Sequence, residues 1–66
     1  MNILAIECST EVLSVAVYAS GSLYERIEDS GRRHGDRLLP LIDEVLAAAQ
    51  CPRLALDAVA FGCGPG

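Results

Sequence analysis

A carboxylate and two hydroxyls follow directly on an apolar run, where Ile3-Leu4-Ala5-Ile6 leads into Glu7-Cys8-Ser9-Thr10. A carboxylate at the end of a buried strand can hold a hydrated magnesium ion, and nearby hydroxyls can donate to phosphate oxygens. A second place of this kind lies at Ala58-Val59-Ala60-Phe61, which runs into Gly62-Cys63-Gly64-Pro65-Gly66. Glycine tolerates positive φ and lets a backbone approach a ligand. Glu7, Ser9, Thr10, Gly64 and Gly66 are therefore the candidate ligand-binding residues. The competing reading is structural: acidic and hydroxyl side chains also satisfy turn amides, and short Gly-Pro stretches after strands are turns. Arg32, Arg33, His34 and Arg37 make the basic cluster, suited to a phosphate, an acidic partner or plain solvation. No nucleophile, base and acid set can be assembled, since His34 is the single histidine. Cys8 sits beside Glu7, whose negative charge opposes a thiolate.

These residues need elements to position them. Ile3 to Ile6 is apolar throughout, the pattern of a central strand covered on both faces. Val12 to Tyr18 follows, with Leu13, Val15 and Val17 on one face, and should lie beside the first strand. Ala19-Ser20-Gly21-Ser22 supplies a turn. Leu23, Glu25 and Ile27 then alternate with Tyr24, Arg26 and Glu28, and charges along an alternating strand mark a sheet edge. Ser30 to Gly35 reads as a loop, with Asp36 as N-cap of the helix that follows and Gln50-Cys51-Pro52 as its end. Pro40 early in this helix removes one amide. Leu38, Leu39, Leu41, Ile42, Val45, Leu46, Ala48 and Ala49 cover about half of the helix circumference, wider than the roughly 100° needed for one buried face, which suggests two contacts. Because a helix crosses over to it, the last apolar run should lie parallel to the first strand. Both candidate loops then emerge at the carboxyl ends of adjacent parallel strands, the edge where open α/β sheets bind ligands. The order is that of a ribonuclease H-like or actin-like ATPase α/β unit: three antiparallel strands, a crossover helix and a fourth, parallel strand. Periodicity alone does not choose it over other α/β arrangements.

Composition bounds what such a unit can be. A chain of 66 residues is at most one small domain, and one of about 60 residues buries only about 60% of its unfolded surface. With 52% hydrophobic residues it carries more apolar material than so small a surface can hide, as a piece of a larger domain would. Five basic against nine acidic residues, a formal charge of -4, disfavour a broad nucleic-acid surface. Cys8, Cys51 and Cys63 lack metal-ligand or framework spacing, so neither zinc nor a set of disulfides is indicated, and a reducing cytoplasm fits. Apolar runs broken by Glu7, Glu11 and Ser14 fall short of the roughly 20 residues of a membrane helix, and no basic region precedes them as in a signal peptide.

Taken in order, Ile3 to Thr10, Ser14-Val15-Ala16-Val17, Arg33-His34 with Leu38-Leu39-Pro40 and Ile42, and Asp57 to Gly66 resemble the amino terminus of the TsaB family, also called YeaZ. The resemblance covers essentially the whole chain. It implies an actin-like ATPase fold that has become a non-catalytic partner subunit. Such a subunit joins the TsaD transferase and the TsaE ATPase to place threonylcarbamoyl on the adenosine beside the anticodon of certain tRNAs, meeting tRNA through the complex. Glu7 would occupy the position of the magnesium-associated acid. Ser9, Thr10, Gly64 and Gly66 would line a remnant phosphate region for ATP or ADP with magnesium. The long helix would pair in a homodimer or with TsaD. Arg37, Leu41, Glu44, Val45 and Ala48 are assigned to that partner because they include the charged rim a non-obligate interface tolerates, leaving Leu39, Ile42, Leu46 and Ala49 for the sheet. The family continues with Ser-Phe-Thr-Gly and a second domain. TsaD begins with a similar strand and also reaches Gly-Pro-Gly, so a catalytic subunit is the nearest alternative, although its insertion before the helix is longer. A small-molecule kinase of the same fold is a more distant one.

Overall fold

The alternating apolar runs assemble into one mixed sheet. In the computed structural model, which describes residues 1–29, 31 and 34–63 apart from the side chains of His34 and Cys63, the elements are β1 (Ile3–Cys8), β2 (Val12–Ala19), β3 (Ser22–Asp29), α1 (His34–Ala49), a 3₁₀ turn (Arg53–Ala55) and β4 (Ala58–Cys63). The strand order is β3-β2-β1-β4. β1 is antiparallel to β2 and parallel to β4, and β3 is the antiparallel edge.

Local chemistry sets the register. Ser20 and Gly21 both have positive φ, 54° and 78°, the two-residue hairpin turn whose twist matches that of the flanking strands. Ala19 therefore pairs with Ser22, and the ladder runs to Val12 opposite Asp29. At the other end of β2 the Ser9 amide donates to the Val12 carbonyl at 2.9 Å, and the Val12 amide donates to Ser9 Oγ at 3.3 Å. The start of β1 is tied to β4. The Asn2 amide donates to Asp57 Oδ2 at 2.7 Å, the Asp57 amide to the Asn2 carbonyl at 2.8 Å, and Asn2 Nδ2 to the Ala55 carbonyl at 3.0 Å.

The pleat sends Leu4, Ile6, Leu13, Val15, Val17 and Ala19 to one face, where Leu41, Ile42, Val45, Leu46 and Cys51 meet them in a single core. α1 lies across β2 and β3. It starts at His34, two residues before the expected cap, so Asp36 belongs to its first turn, where a negative charge suits the helix dipole. It runs through Pro40 and ends as expected. Gln50 takes φ 53°, its amide donates to Ala47 at 3.1 Å and the Cys51 amide to Leu46 at 3.0 Å. This is the paired C-terminal bonding of a Schellman motif, with the C″ residue Cys51 buried among the same side chains as Leu46.

One expectation fails. β1 is covered on one face rather than both: Leu4 and Ile6 are buried, Ala5 and Glu7 exposed. On the face away from α1, Tyr18, Leu23 and Ile27 are exposed, and Val59 and Phe61 are bare on the β4 flank of the helix side. One helix is too narrow to cover four strands, so fully apolar strands remain half exposed.

Candidate ligand site and partner surface

Glu7 stands one residue before the end of β1, opposite Ser14 on β2 and Gly62 on β4. Because β1 and β4 run in parallel register to Cys8 and Cys63, the carboxyl ends of the two strands stand side by side. Small residues Ala5, Ala16, Ala60 and Gly62 leave a trough of about 340 Å³ on the face away from α1, and Glu7, Ser14 and Glu25 line it. Ser14 and Glu25 escape a reading of motifs because they lie on other strands. The hairpin register reveals them, since it sets Glu25 beside Ala16 and Ala16 beside Ala5.

The other candidates do not join this trough. Ser9 closes the turn between β1 and β2 by the two bonds described above, which is the structural role weighed for it. Ser9 and Thr10 line a separate, shallow depression with Glu11 and Val12. Gly64 and Gly66 lie outside the described residues, as do Arg32 and Arg33.

The donor set shows what the trough can take. Two exposed carboxylates and one hydroxyl present mostly acceptors, which repel a bare phosphate. One carboxylate with room for water suits magnesium, which keeps several waters and needs few protein ligands. Among the described residues no three His, Cys, Asp or Glu side chains gather around one point. Glu7 thus fits a hydrated magnesium ion, and such an ion would supply the positive charge that a nucleotide phosphate requires there.

The partner surface needs correction. Leu41 and Val45, assigned to a partner, are 3% and 0% exposed and pack onto the sheet. Leu39, assigned to the sheet, is 59% exposed. Ile42, Leu46 and Ala49 do face the core. The cause is width: the sheet takes an arc from Leu41 round to Leu46, so most of the apolar surface that suggested two contacts goes to one. Arg37 is occupied as well. Its Nε and Nη2 donate to both oxygens of Glu28 at 2.6 and 3.0 Å, with Glu44 at 3.8 Å. The hydrogen bond and charge of Glu28, and then Glu44, raise the guanidinium's pKa above its ordinary value. Of the five partner residues only Glu44 and Ala48 are exposed, beside an outer stripe of Asp36, Pro40, Asp43 and Ala47.

A parallel β1-β4 pair flanked by an antiparallel hairpin, with a crossover helix on one face, defines a ribonuclease H-like or actin-like ATPase unit. The family described as TsaD, tRNA N6-adenosine threonylcarbamoyltransferase, matches residues 23–66. The chain belongs to this family, and across its whole length it is similar to TsaB/YeaZ proteins. It is 36% identical to the tRNA threonylcarbamoyladenosine biosynthesis protein TsaB of Escherichia coli and 42% to that of Haemophilus influenzae, in each case over 66 residues and 100% of this chain. The structure of YeaZ from Pseudomonas aeruginosa superposes with a TM-score of 0.90 at 42% identity, over 98% of this chain and 30% of that one. A tRNA N6-adenosine threonylcarbamoyltransferase of Legionella pneumophila is 37% identical, with this chain covering 25% of it, but over 83 aligned positions against 66 residues here, so it carries inserted residues. The chain spans 29% and 28% of the two TsaB proteins. No helix among the described residues is long and apolar enough to cross a membrane.

Proposed function

We propose that this chain is the amino-terminal part of a TsaB-type partner subunit that acts in forming threonylcarbamoyladenosine on tRNA by binding and supporting a TsaD-type transferase in the cytoplasm. The observation that carries this reading is similarity to TsaB proteins over the chain's full 66 residues, where the transferase aligns only with inserted residues. The exposed Tyr18, Leu23 and Ile27 on one face and Val59 and Phe61 on the other support membership of a larger domain whose remainder covers them. The partner, a TsaD-type protein or a second copy, meets the outer side of α1 through Leu39, Glu44 and Ala48 rather than through Leu41 and Val45. A TsaE-type ATPase completes the assembly. Glu7 keeps the place of a magnesium-associated acid, with ATP or ADP as its nucleotide.

The test uses the intact protein with the TsaD-type and TsaE-type proteins of the same cell, threonylcarbamoyl adenylate and tRNA. No transfer by the protein alone, and transfer when the transferase is added, are the expected results. Transfer by the protein alone would establish the catalytic reading instead. Leu39→Asp with Ala48→Arg should abolish co-elution with the transferase or dimerisation while leaving the thermal midpoint within a few degrees. Unchanged association would remove the outer side of α1 from the interface.

A further inference from the structure

We propose that Glu25 is a docking anchor: the sheet face away from α1 is covered by an amphipathic helix of the same polypeptide, beyond these 66 residues, which brings a lysine or arginine to the Glu25 carboxylate. The inference rests on the reading of the chain as the amino-terminal part of a larger domain, and adds the chemistry of what covers it. On β3 the pleat sends Leu23, Glu25 and Ile27 to this face, while Tyr24 packs against the core and Glu28 meets Arg37 of α1. In register, Leu23 stands beside Tyr18, Glu25 beside Ala16 and Ile27 beside Ser14. Leu23 and Ile27 are each 65% exposed, and Tyr18 is 47% exposed. A helix seated over Leu23 and Ile27 therefore lies over Glu25 between them. Ala16 and Ala5, paired across β2 and β1, are small enough for it to come close.

A carboxylate covered in this way loses its water and stays charged only if a cation and hydrogen-bond donors replace it. Among the described residues no cation reaches the Glu25 carboxylate. Arg26, its neighbour, donates from Nη1 to the Glu25 main-chain carbonyl at 3.0 Å instead. Arg37 is held by Glu28 and Arg53 by Asp43, while Arg32 and Arg33 lie outside the described residues. The covering helix thus supplies the charge. A second copy placed face to face fits poorly, because it would set Glu7 and Glu25 against the same acids. The relatives have the length for an internal cover, since the chain spans only 29% and 28% of two TsaB proteins. Glu7, two strands away from Glu25, keeps its separate ligand role.

The experiment labels carboxyl groups of the intact wild-type protein with carbodiimide and glycine ethyl ester, oxidises a second sample with hydroxyl radicals, and reads both by mass spectrometry. Without any transferase, Glu25 should label more than about tenfold more slowly than in urea, with Leu23 and Ile27 protected from oxidation. Exposed Glu11 should label as fast as in urea. Glu25→Leu should lower the thermal midpoint by at least about 4 °C, because the cation of the cover loses its partner. Under a cover without a cation the same change would be neutral or stabilising, since it removes an unpaired carboxylate. Labelling and oxidation as fast as in urea would overturn the inference together with the larger-domain reading. Protection with an unchanged or raised Glu25→Leu midpoint would overturn the cation alone. Protection that appears only on adding a TsaD-type protein would give the face to a partner subunit instead. Abolition of the Glu25→Leu loss in an Arg32→Ala, Arg33→Ala background would place the cation within these residues and overturn its source. The wild-type footprint needs no variant to fold.

Discussion

Replacing Val45 by alanine removes two methyl groups from a side chain with no exposed surface, in contact with the core built by β1, β2 and α1. At about 0.8 kcal/mol per buried carbon the transfer loss is about 1.6 kcal/mol. The gap left behind adds to it, because the neighbours relax only in part, giving about 2.5 kcal/mol in all. With a urea slope of about 3 kcal/mol per molar, the upper end for small proteins, the midpoint should fall by about 0.8 M. Leu39→Ala deletes a larger side chain six residues before Val45 on the same helix, yet its site is 59% exposed. It should cost no more than about 0.5 kcal/mol, a shift below about 0.2 M. The pair therefore reports which side of α1 meets the sheet. Urea titrations of the intact protein followed by circular dichroism, with equal slopes, decide it. A Leu39→Ala shift equal to or larger than that of Val45→Ala would mean that the helix is turned the other way, and that the original assignment of Leu41 and Val45 to a partner was right.

Gln50→Gly should raise stability by about 1 kcal/mol, read as a higher thermal midpoint, since Gln50 holds a left-handed φ of 53° that costs a side-chain-bearing residue about that much and glycine almost nothing. No rise would show that this helix end is not left-handed in solution. Arg37→Ala and Glu28→Ala should each lower the midpoint, and the double variant should lose less than their sum because the bidentate bond is shared; strict additivity would mean the pair is not formed. For Glu7→Ala, calorimetry with ATP should show a loss of the magnesium-dependent part of binding and leave Glu25→Ala closer to wild type. An identical titration for Glu7→Ala and wild type would exclude Glu7 from the site.

What could be read from the residues was whatever is local or repeats with a period. Alternation located β2 and β3, the Ser20-Gly21 turn fixed their pairing, and a crossover helix required β4 to run parallel to β1. Burial was misjudged wherever it depends on area rather than pattern. Ile3-Leu4-Ala5-Ile6 has the composition of a strand covered twice, but a single helix across β2 and β3 leaves one face of β1 open. The helix failed in the complementary way. Its apolar arc is wide enough for two neighbours, and a hydrophobic count cannot say that the sheet claims Leu41 through Leu46 as one surface. Charge was the overlooked signal: Arg37 on the flank of that arc is drawn down to Glu28 on β3, and a long strand facing a helix with an acid in reach fixes the helix's rotation better than the leucines do. The site behaved differently again. Glu7 is recognisable because it follows directly on an apolar run, while Glu25 and Ser14 join it only through register. A one-residue slip of β4 against β1 would move Gly62 from beside Glu7 and turn Val59 and Phe61 to the face of the trough. The trough beside Glu7 therefore depends on the parallel register, which holds Gly62, with no side chain, next to it.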